Sequence, residues 1–113
     1  MSEESFDIRI DCGADFSLRY RVLNDEEELT DLTDAEVRSQ LRPFTEAADS
    51  ITFRCSHNGS GGTIVMRLSH EETAAIRFGK GVYDVFIDYP DGNVDKVLQG
   101  AAIIIKAVTK EGE

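Results

Sequence analysis

Histidine, serine and carboxylate side chains are the first candidates for chemistry in this sequence. His57 and His70 each follow a serine, a neighbourhood that could serve nucleophilic catalysis if a base and an orienting acid lay within reach. Neither pair belongs to a nucleophile-elbow motif, and we assign His57 to a loop and His70 to the start of a short helix. Asp84 and Asp88 share a strand face about 13 Å apart, which is too wide for an acid–base dyad. We therefore predict no catalytic residues and no enzyme activity.

Metal sites are the second class of chemistry that the residue types suggest. The stretch Asp91–Asp95 has the D-x-N-x-D opening of a calcium loop, but Lys96 stands where that loop needs glycine, and Ala102 where it needs glutamate. Cys12 and Cys55, with two separated histidines, do not supply a zinc ligand set. We expect no metal and no cofactor.

Size and charge narrow the possible functions further. The chain has 113 residues, 41% hydrophobic and 30% charged, which predicts one soluble domain over residues 1–113, with tails at 1–5 and 110–113. The net charge of −10 repels phosphate backbones and anionic membranes, so we expect neither nucleic acid nor membrane as a partner. The polar, acidic start predicts no signal peptide, and this favours free thiols over a disulfide.

The elements that must position these residues are short strands, because hydrophobic residues alternate with polar ones along most of the chain. Gly, Asn and Asp separate the segments, as in a sandwich or barrel. The alternating segments are Phe6–Ile10, Phe16–Val22, Ala35–Leu41, Ile51–Cys55, Ile64–Leu68 and Val82–Tyr89, followed by Val94–Leu98 and Ala101–Val108.

Three local signals complete the predicted fold. Ser69 with Glu72 forms a capping-box pattern that opens one helical turn near 70–76. The stretch Pro90–Asn93 predicts a tight turn, and Gly100 a bulge or bend. The fold class is therefore all-β: an immunoglobulin-like antiparallel β-sandwich of about seven or eight strands.

Charged surface residues are the remaining candidates. The acidic run Asn24–Glu36, which includes Glu26, Glu27 and Glu28, is interpreted as a solvated connection, with a docking loop or calcium site as the alternative. Arginines stand at polar positions of nearly every early strand. They either pair with the chain's own carboxylates or form a partner site. They are Arg9, Arg19, Arg21, Arg38, Arg42, Arg54 and Arg67.

Several motifs together carry a family resemblance from about Phe6 to Thr109. They are Asp31-Leu32-Thr33-Asp34-Ala35-Glu36-Val37-Arg38, Leu68–Ile76 with its LS-x-x-x-T pattern, Gly81-Val82-Tyr83-Asp84, Asp91-Gly92-Asn93 and the closing Lys106-Ala107-Val108-Thr109. In this order they resemble the small immunoglobulin-like sandwich domains of tailed-phage and prophage virion proteins. The chain is similar to the N-terminal domain of upper-baseplate proteins and to short tail-associated proteins.

The resemblance implies a non-enzymatic structural or assembly protein of a phage or prophage tail or baseplate. We expect other virion proteins as partners, association of copies into a ring or trimer, and a place in the virion after assembly in the bacterial cytoplasm. The candidate interaction residues are Glu26, Glu27, Glu28, Arg19, Arg21, Arg38 and Arg54. The alternative is a small carbohydrate- or peptide-binding sandwich that uses Tyr83, Tyr89 and the neighbouring loops.

Overall fold

A computed structural model describes residues 4–24 and 26–109 of the chain. Over these residues the chain forms nine strands, one short α-helix and one 3-10 turn. The strands are β1 Glu4–Ser5, β2 Ile8–Asp11, β3 Phe16–Arg21, β4 Glu36–Arg42, β5 Ile51–Thr52, β6 Arg54–His57, β7 Thr63–Leu68, β8 Lys80–Asp88 and β9 Val94–Ile105, and the helix α1 is His70–Ala74.

The larger sheet has the strand order β1–β9–β8–β4–β5, and β2 continues the β1 edge beside β9. Its inner strands are antiparallel, whereas β1 and β2 both run parallel to β9. The prediction of a purely antiparallel sandwich is therefore wrong at this edge, where the start of the chain lies beside the last strand. Because β1 and β2 are two pieces of one edge strand, the fold has eight strands in effect.

The smaller sheet consists of β3, β7 and β6 in that order, all antiparallel. It faces the larger sheet, and the two sets of strands correspond to the B-E-D and G-F-C groups of an immunoglobulin-like sandwich. The all-β sandwich with one helical turn near 70–76 is confirmed.

The strand predicted over Ile51–Cys55 divides between the two sheets. β5 pairs with β4 in the larger sheet, β6 pairs with β7 in the smaller one, and Phe53 lies between them with its N–H donating to the Ser39 carbonyl. The Phe53 ring packs against Phe16 and Tyr83, with centroids 5.8 Å and 6.4 Å away. The aromatic contacts anchor the crossing in the core between the sheets.

The core is built from the inward-facing residues of both sheets. The side chains buried most completely there include Ile10, Leu41, Ile64, Met66, Leu68, Val85, Ile87 and Leu98. Each such side chain contributes about 1.5–3 kcal/mol by leaving water, and together they hold the two sheets face to face.

Gly100 has a different role from the predicted bulge. The irregularity in β9 falls at Val97, because Val85 pairs with Leu98 while the next residue of β8, Phe86, pairs with Lys96. At Gly100 the Phe6 carbonyl occupies the space that a Cβ would need. Glycine is therefore required here for the close approach of the edge strand, and β9 runs unbroken through it.

The helical turn joins the two sheets at one end of the sandwich. The predicted capping box is present: the Glu72 N–H donates to Ser69 Oγ at 3.1 Å, and the Ser69 N–H donates to Glu72 Oε1 at 2.7 Å. The buried Thr73 hydroxyl accepts from the Gly13 N–H at 3.0 Å and donates to the Ala14 carbonyl at 2.9 Å. Thr73 thus ties this corner to the β2–β3 turn.

The two predicted tails lie mainly outside the described residues, which exclude residues 1–3 and 110–113. The tail predicted over residues 1–5 is wrong for Glu4–Ser5, because these residues form β1 and pair with Leu98 and Gln99.

Candidate functional site

Both histidines have structural partners. The Gly59 N–H donates to His57 Nδ1 at 3.0 Å, so Nε2 carries the proton and donates to the Ala35 carbonyl at 2.8 Å. His57 thereby ties the end of β6 to the β3–β4 loop. His70 is the first residue of α1, and Asp15 Oδ1 accepts from its backbone N–H at 2.7 Å and from its Nδ1 at 3.0 Å. These hydrogen bonds lower the pKa of the Asp15 carboxyl.

The two tyrosines of the carbohydrate alternative do not form an exposed platform. Tyr83 is in the core, its hydroxyl donates to the Phe6 carbonyl, and burial raises its pKa to about 12. Tyr89 is half-buried and packs against the core, and burial raises its pKa. A sugar ring would need an exposed aromatic face, which neither residue supplies.

The outer face of the larger sheet carries mixed charges that pair with each other. Arg38 contacts Asp88 through two hydrogen bonds of 2.8 Å and 3.1 Å, and its guanidinium lies 4.8 Å from the centre of the Phe86 ring. The hydrogen bond with Arg38 lowers the pKa of Asp88. Arg42 binds the Ala47 carbonyl and Gln40. Arg38, predicted as an interaction residue, is therefore engaged within its own sheet.

The outer face of the smaller sheet is different, because β3, β6 and β7 contain no aspartate or glutamate. Four arginines project from it: Arg19 and Arg21 of β3, Arg67 of β7 and Arg54 of β6, here called the arginine face. Arg19 lies opposite Val65 and Arg54 opposite Arg67. Like charges directly opposite each other on neighbouring strands are destabilising, so the sheet accepts a local electrostatic cost.

Three of these four arginines lack a carboxylate partner. Arg54 contacts Glu72 Oε1 at 2.7 Å, which leaves Arg19, Arg21 and Arg67 without a carboxylate within 4.0 Å in the described part of the chain. All three side chains are exposed. A shallow depression of about 840 Å³, lined in part by Arg19, Arg21 and Val65, lies at the loop end of this face.

The acidic candidates Glu26, Glu27 and Glu28 lie at one end of the sandwich. They occupy a tight turn in the β3–β4 loop, in which Asn24 Oδ1 accepts from the backbone N–H groups of Glu26 at 2.9 Å and Glu28 at 3.0 Å. Glu27 has a φ of 61°, and all three glutamates are exposed. The turn presents three carboxylates to solvent.

Antiparallel connections place two further loops at the same end, the β6–β7 loop and the β8–β9 turn. Contacts support this placement, because the Leu32 N–H donates to the Gly59 carbonyl at 3.0 Å. The three loops, 22–35, 58–62 and 89–93, contain no lysine or arginine. We call this end the acidic pole. Glu26–Glu28 belong to it, whereas the arginine face covers the adjoining side of the smaller sheet.

The remaining candidate features are metal ligands, thiols and membrane-spanning helices. Among residues 4–24 and 26–109 no group of three or more His, Cys, Asp or Glu side chains is placed to hold a metal ion. Cys12 and Cys55 are free thiols, as predicted, and burial raises the pKa of Cys55 to about 11. No helix in the described residues is both long and apolar enough to span a membrane.

Comparison of the chain with protein-family models and with curated proteins gives no match. The relation to phage virion domains therefore stays a prediction.

Arg67 is the member of the arginine face that the sequence prediction did not select as an interaction residue. Its polar position between the inward-facing Met66 and Leu68 was visible in the alternation. The sequence did not show which strands share a sheet. Only the topology showed that β3, β6 and β7, which contain no acidic residue, form one sheet.

Proposed function

We propose that this chain is a non-enzymatic structural or assembly protein, of the kind found in phage and prophage virions, and that it binds acidic protein surfaces through its arginine face. The observation that carries the proposal is the set of three unpaired, exposed arginines, Arg19, Arg21 and Arg67, in a chain whose net charge is −10. Twenty-two carboxylates are present, yet none in the described residues lies within ion-pair distance of these three.

An acidic protein surface is a better partner for the arginine face than nucleic acid or an anionic membrane. The acidic pole and the overall charge repel nucleic acid and anionic membranes. A folded partner can offer its carboxylates at the spacing of these arginines and keep the remaining acidic surface at a distance. Charge complementarity of this kind increases association rates and selects partners.

A symmetric assembly of identical copies could use both charged regions. In a ring or trimer the acidic pole of one copy, with Glu26–Glu28, would contact the arginine face of the next, a heterologous contact that closes if the rotation allows. In sedimentation velocity at low salt, reversing Glu26, Glu27 and Glu28 to lysine should then abolish association. Mixing that variant with one carrying Arg19→Glu, Arg21→Glu and Arg67→Glu should restore association between unlike copies, which can close only into rings with an even number of copies.

The proposed function is tested by incorporation into particles. Gradient-purified phage particles induced from the source strain should contain the chain in stoichiometric amounts by mass spectrometry. The variant Arg19→Glu, Arg21→Glu, Arg67→Glu should be incorporated at least about tenfold less, because like charges across an interface cost several kcal/mol. Arg77→Glu, a single charge reversal at an exposed arginine outside the sheets, serves as the control for the chemistry of the substitution and should be incorporated like the wild type. Reproducible absence of the wild-type chain from particles, with expression confirmed in the lysate, would contradict the virion role.

A further inference from the structure

One edge of β3 has backbone groups without hydrogen-bond partners in the described residues. There β3 pairs with β7 and with no other strand. The Val22 N–H donates to the Gly62 carbonyl at 2.7 Å, in register with the pairing of Phe16 with Leu68. In an antiparallel pair, every second residue forms both of its hydrogen bonds to the neighbouring strand, and the residues between them direct theirs away.

The residues that direct their backbone away from β7 are therefore Ser17, Arg19 and Arg21. In the described part of the chain no hydrogen bond engages the N–H or carbonyl groups of these three residues. The edge is open because β1 and β2 lie beside β9 in the larger sheet instead of beside β3.

The other sheet edges among the described residues are shorter or interrupted. On the β1–β2 edge, the Asp7 carboxylate accepts from the Ala101 N–H at 2.9 Å and breaks the ladder between the two strands. β5 has two residues, and β6 has four, the last of which is held by the His57 contact to Ala35. β3 has six residues and no break. A long regular edge is the feature that invites another strand to pair.

The side chains of β3 define the chemistry of such a strand. Arg19 and Arg21 are exposed on the outer face, whereas Phe16, Leu18 and Tyr20 on the other face are half-buried and pack against the core. The Cβ atoms of residues in an added strand would lie about 4.5–5.5 Å from the Cβ atoms of the residues opposite them on β3. Carboxylates at alternate positions would pair with the two arginines, and apolar residues between them would cover the half-buried side chains.

We infer that β3 accepts an extended segment of a partner protein as a fourth strand of the smaller sheet, and that in this segment Asp or Glu alternates with apolar residues. Backbone hydrogen bonds would supply affinity, and the alternating side chains would supply specificity. This inference rests on the proposed function, because it specifies how the arginine face engages its acidic partner.

A second copy of this chain fits the edge poorly. Pairing β3 with β3 of another copy would oppose arginine to arginine. The acidic loop of another copy is a turn fixed by Asn24, with Glu27 at a φ of 61°, so Glu26–Glu28 cannot lie along the edge as a strand. We therefore take the occupant of the β3 edge to be a segment of a different protein, and a contact with the acidic pole of another copy would compete with this segment for Arg19 and Arg21.

The test uses the full chain and two probe peptides, acetyl-Gly-Val-Glu-Val-Glu-Val-Gly-amide and the same peptide with lysine in place of glutamate. Amide hydrogen exchange is followed by NMR with and without each peptide. The glutamate peptide should slow exchange at Ser17, Arg19 and Arg21 at least about tenfold, because their N–H groups gain hydrogen bonds. Phe16, Leu18 and Tyr20, already bonded to β7, should change little. The lysine peptide should have no effect.

Two variants separate the backbone from the side-chain contribution. Arg19→Pro removes an outward N–H that bonds nothing in β7, so the sheet should persist while binding of the glutamate peptide is lost. Arg19→Ala keeps the N–H and loses one charge pair, so affinity should fall only about fivefold. Arg77→Glu should bind like the wild type. A thermal melt of each variant checks that it is folded. If a variant does not fold, the hydrogen-exchange measurement on the wild-type chain still tests strand addition.

Three other results would overturn strand addition, and one of them would also overturn the proposed function. If the glutamate peptide shifts resonances of the arginine face but leaves the exchange of Ser17, Arg19 and Arg21 unchanged, strand addition is wrong and the proposed function stands. If neither peptide binds, or both bind equally, acidic recognition by the arginine face fails as well. If these amides become protected with rising protein concentration alone, the occupant is a second copy and the inference is overturned.

Discussion

The two sheets of this sandwich present arginine to solvent in different ways. The six strands of the larger sheet carry both signs of charge, and there Arg38 binds Asp88 and covers the Phe86 ring. The three strands of the smaller sheet carry four arginines and no carboxylate, and among residues 4–24 and 26–109 only Arg54 of these four pairs with a carboxylate, that of Glu72 in α1. An arginine that is satisfied within its own sheet contributes to the fold, whereas an unpaired one is available for a partner.

The edges of the two sheets also differ, because the smaller sheet again has the groups that are not engaged within the fold. β1 and β2 extend the larger sheet, and the Asp7 carboxylate interrupts the backbone ladder between them, whereas in the described residues β3 has an uninterrupted open edge. Open edges are hazards that proteins usually protect, and the arginines along β3 discourage pairing with a like-charged copy. The smaller sheet therefore combines unused backbone groups and unused positive charge on one strand.

The largest expected effect comes from breaking the edge of the larger sheet. Gly100→Ala places a methyl group against the Phe6 carbonyl, which must move and carry the edge strand with it. We expect a loss of about 3 kcal/mol in the free energy of unfolding, measured by urea denaturation. Gly79→Ala is the matched control, because no atom lies within 4 Å of its added Cβ. Equal stability of the two variants would show that the close approach at Gly100 is unimportant.

The next effect concerns the corner that joins the sheets. Thr73→Val keeps the shape of the side chain but leaves the Gly13 N–H and the Ala14 carbonyl without the hydroxyl that binds them. We expect a loss of about 1–3 kcal/mol, because buried polar groups are left unpaired. Thr73→Ser, which retains the hydroxyl, should recover part of it in the same denaturation series. No recovery with serine would mean that packing of the methyl group dominates.

A smaller effect on thermal stability is expected when one arginine of each sheet is replaced by alanine. Arg38→Ala should lower the thermal midpoint, since Asp88 and Phe86 lose their partner, whereas Arg19→Ala should change the unfolding free energy by less than about 0.5 kcal/mol. Thermal melts followed by circular dichroism measure both. If Arg19→Ala destabilises the fold as much as Arg38→Ala, Arg19 has a structural role and the contrast between the sheets is wrong.

The smallest effect is on the pH dependence. The Arg38 hydrogen bond holds the folded pKa of Asp88 below its usual value of 3.8, so this pair stabilises the fold fully above pH 3.8 and ceases to do so as pH falls through the folded pKa. The thermal midpoint of the wild type should therefore fall more than that of Arg38→Ala between about pH 5 and pH 3. Parallel pH profiles would contradict the assignment.

Local features of this fold were predictable from sequence, and relations between distant segments were not. Alternation predicted β3, β4, β7 and β8 because each buries one face, and Ser69 with Glu72 predicted α1 because a capping box needs only neighbouring residues. The parallel edge of the larger sheet depends on which strand the chain start meets, and the strand division at Phe53 depends on both sheets.

The candidate site was predictable in part for the same reason. Arg19, Arg21 and Glu26–Glu28 were selected from charge alone, and they are exposed and unpaired as side chains in the described residues. The pairing of Arg38 with Asp88 spans fifty residues of sequence, and that of Arg54 with Glu72 links β6 to α1, so both required the fold.

Binding of an acidic polypeptide to the wild-type chain shows which of the two sheet faces recognises carboxylates. NMR resonances of the 15N-labelled wild-type chain would be followed during titration with poly-L-glutamate at low salt. Shifts should concentrate on β3 and β7 around Arg19, Arg21 and Arg67 and disappear at high salt, because the contact is electrostatic and solvent-exposed. Shifts concentrated on β4 and β8 around Arg38, or no salt-sensitive shifts at all, would contradict this prediction.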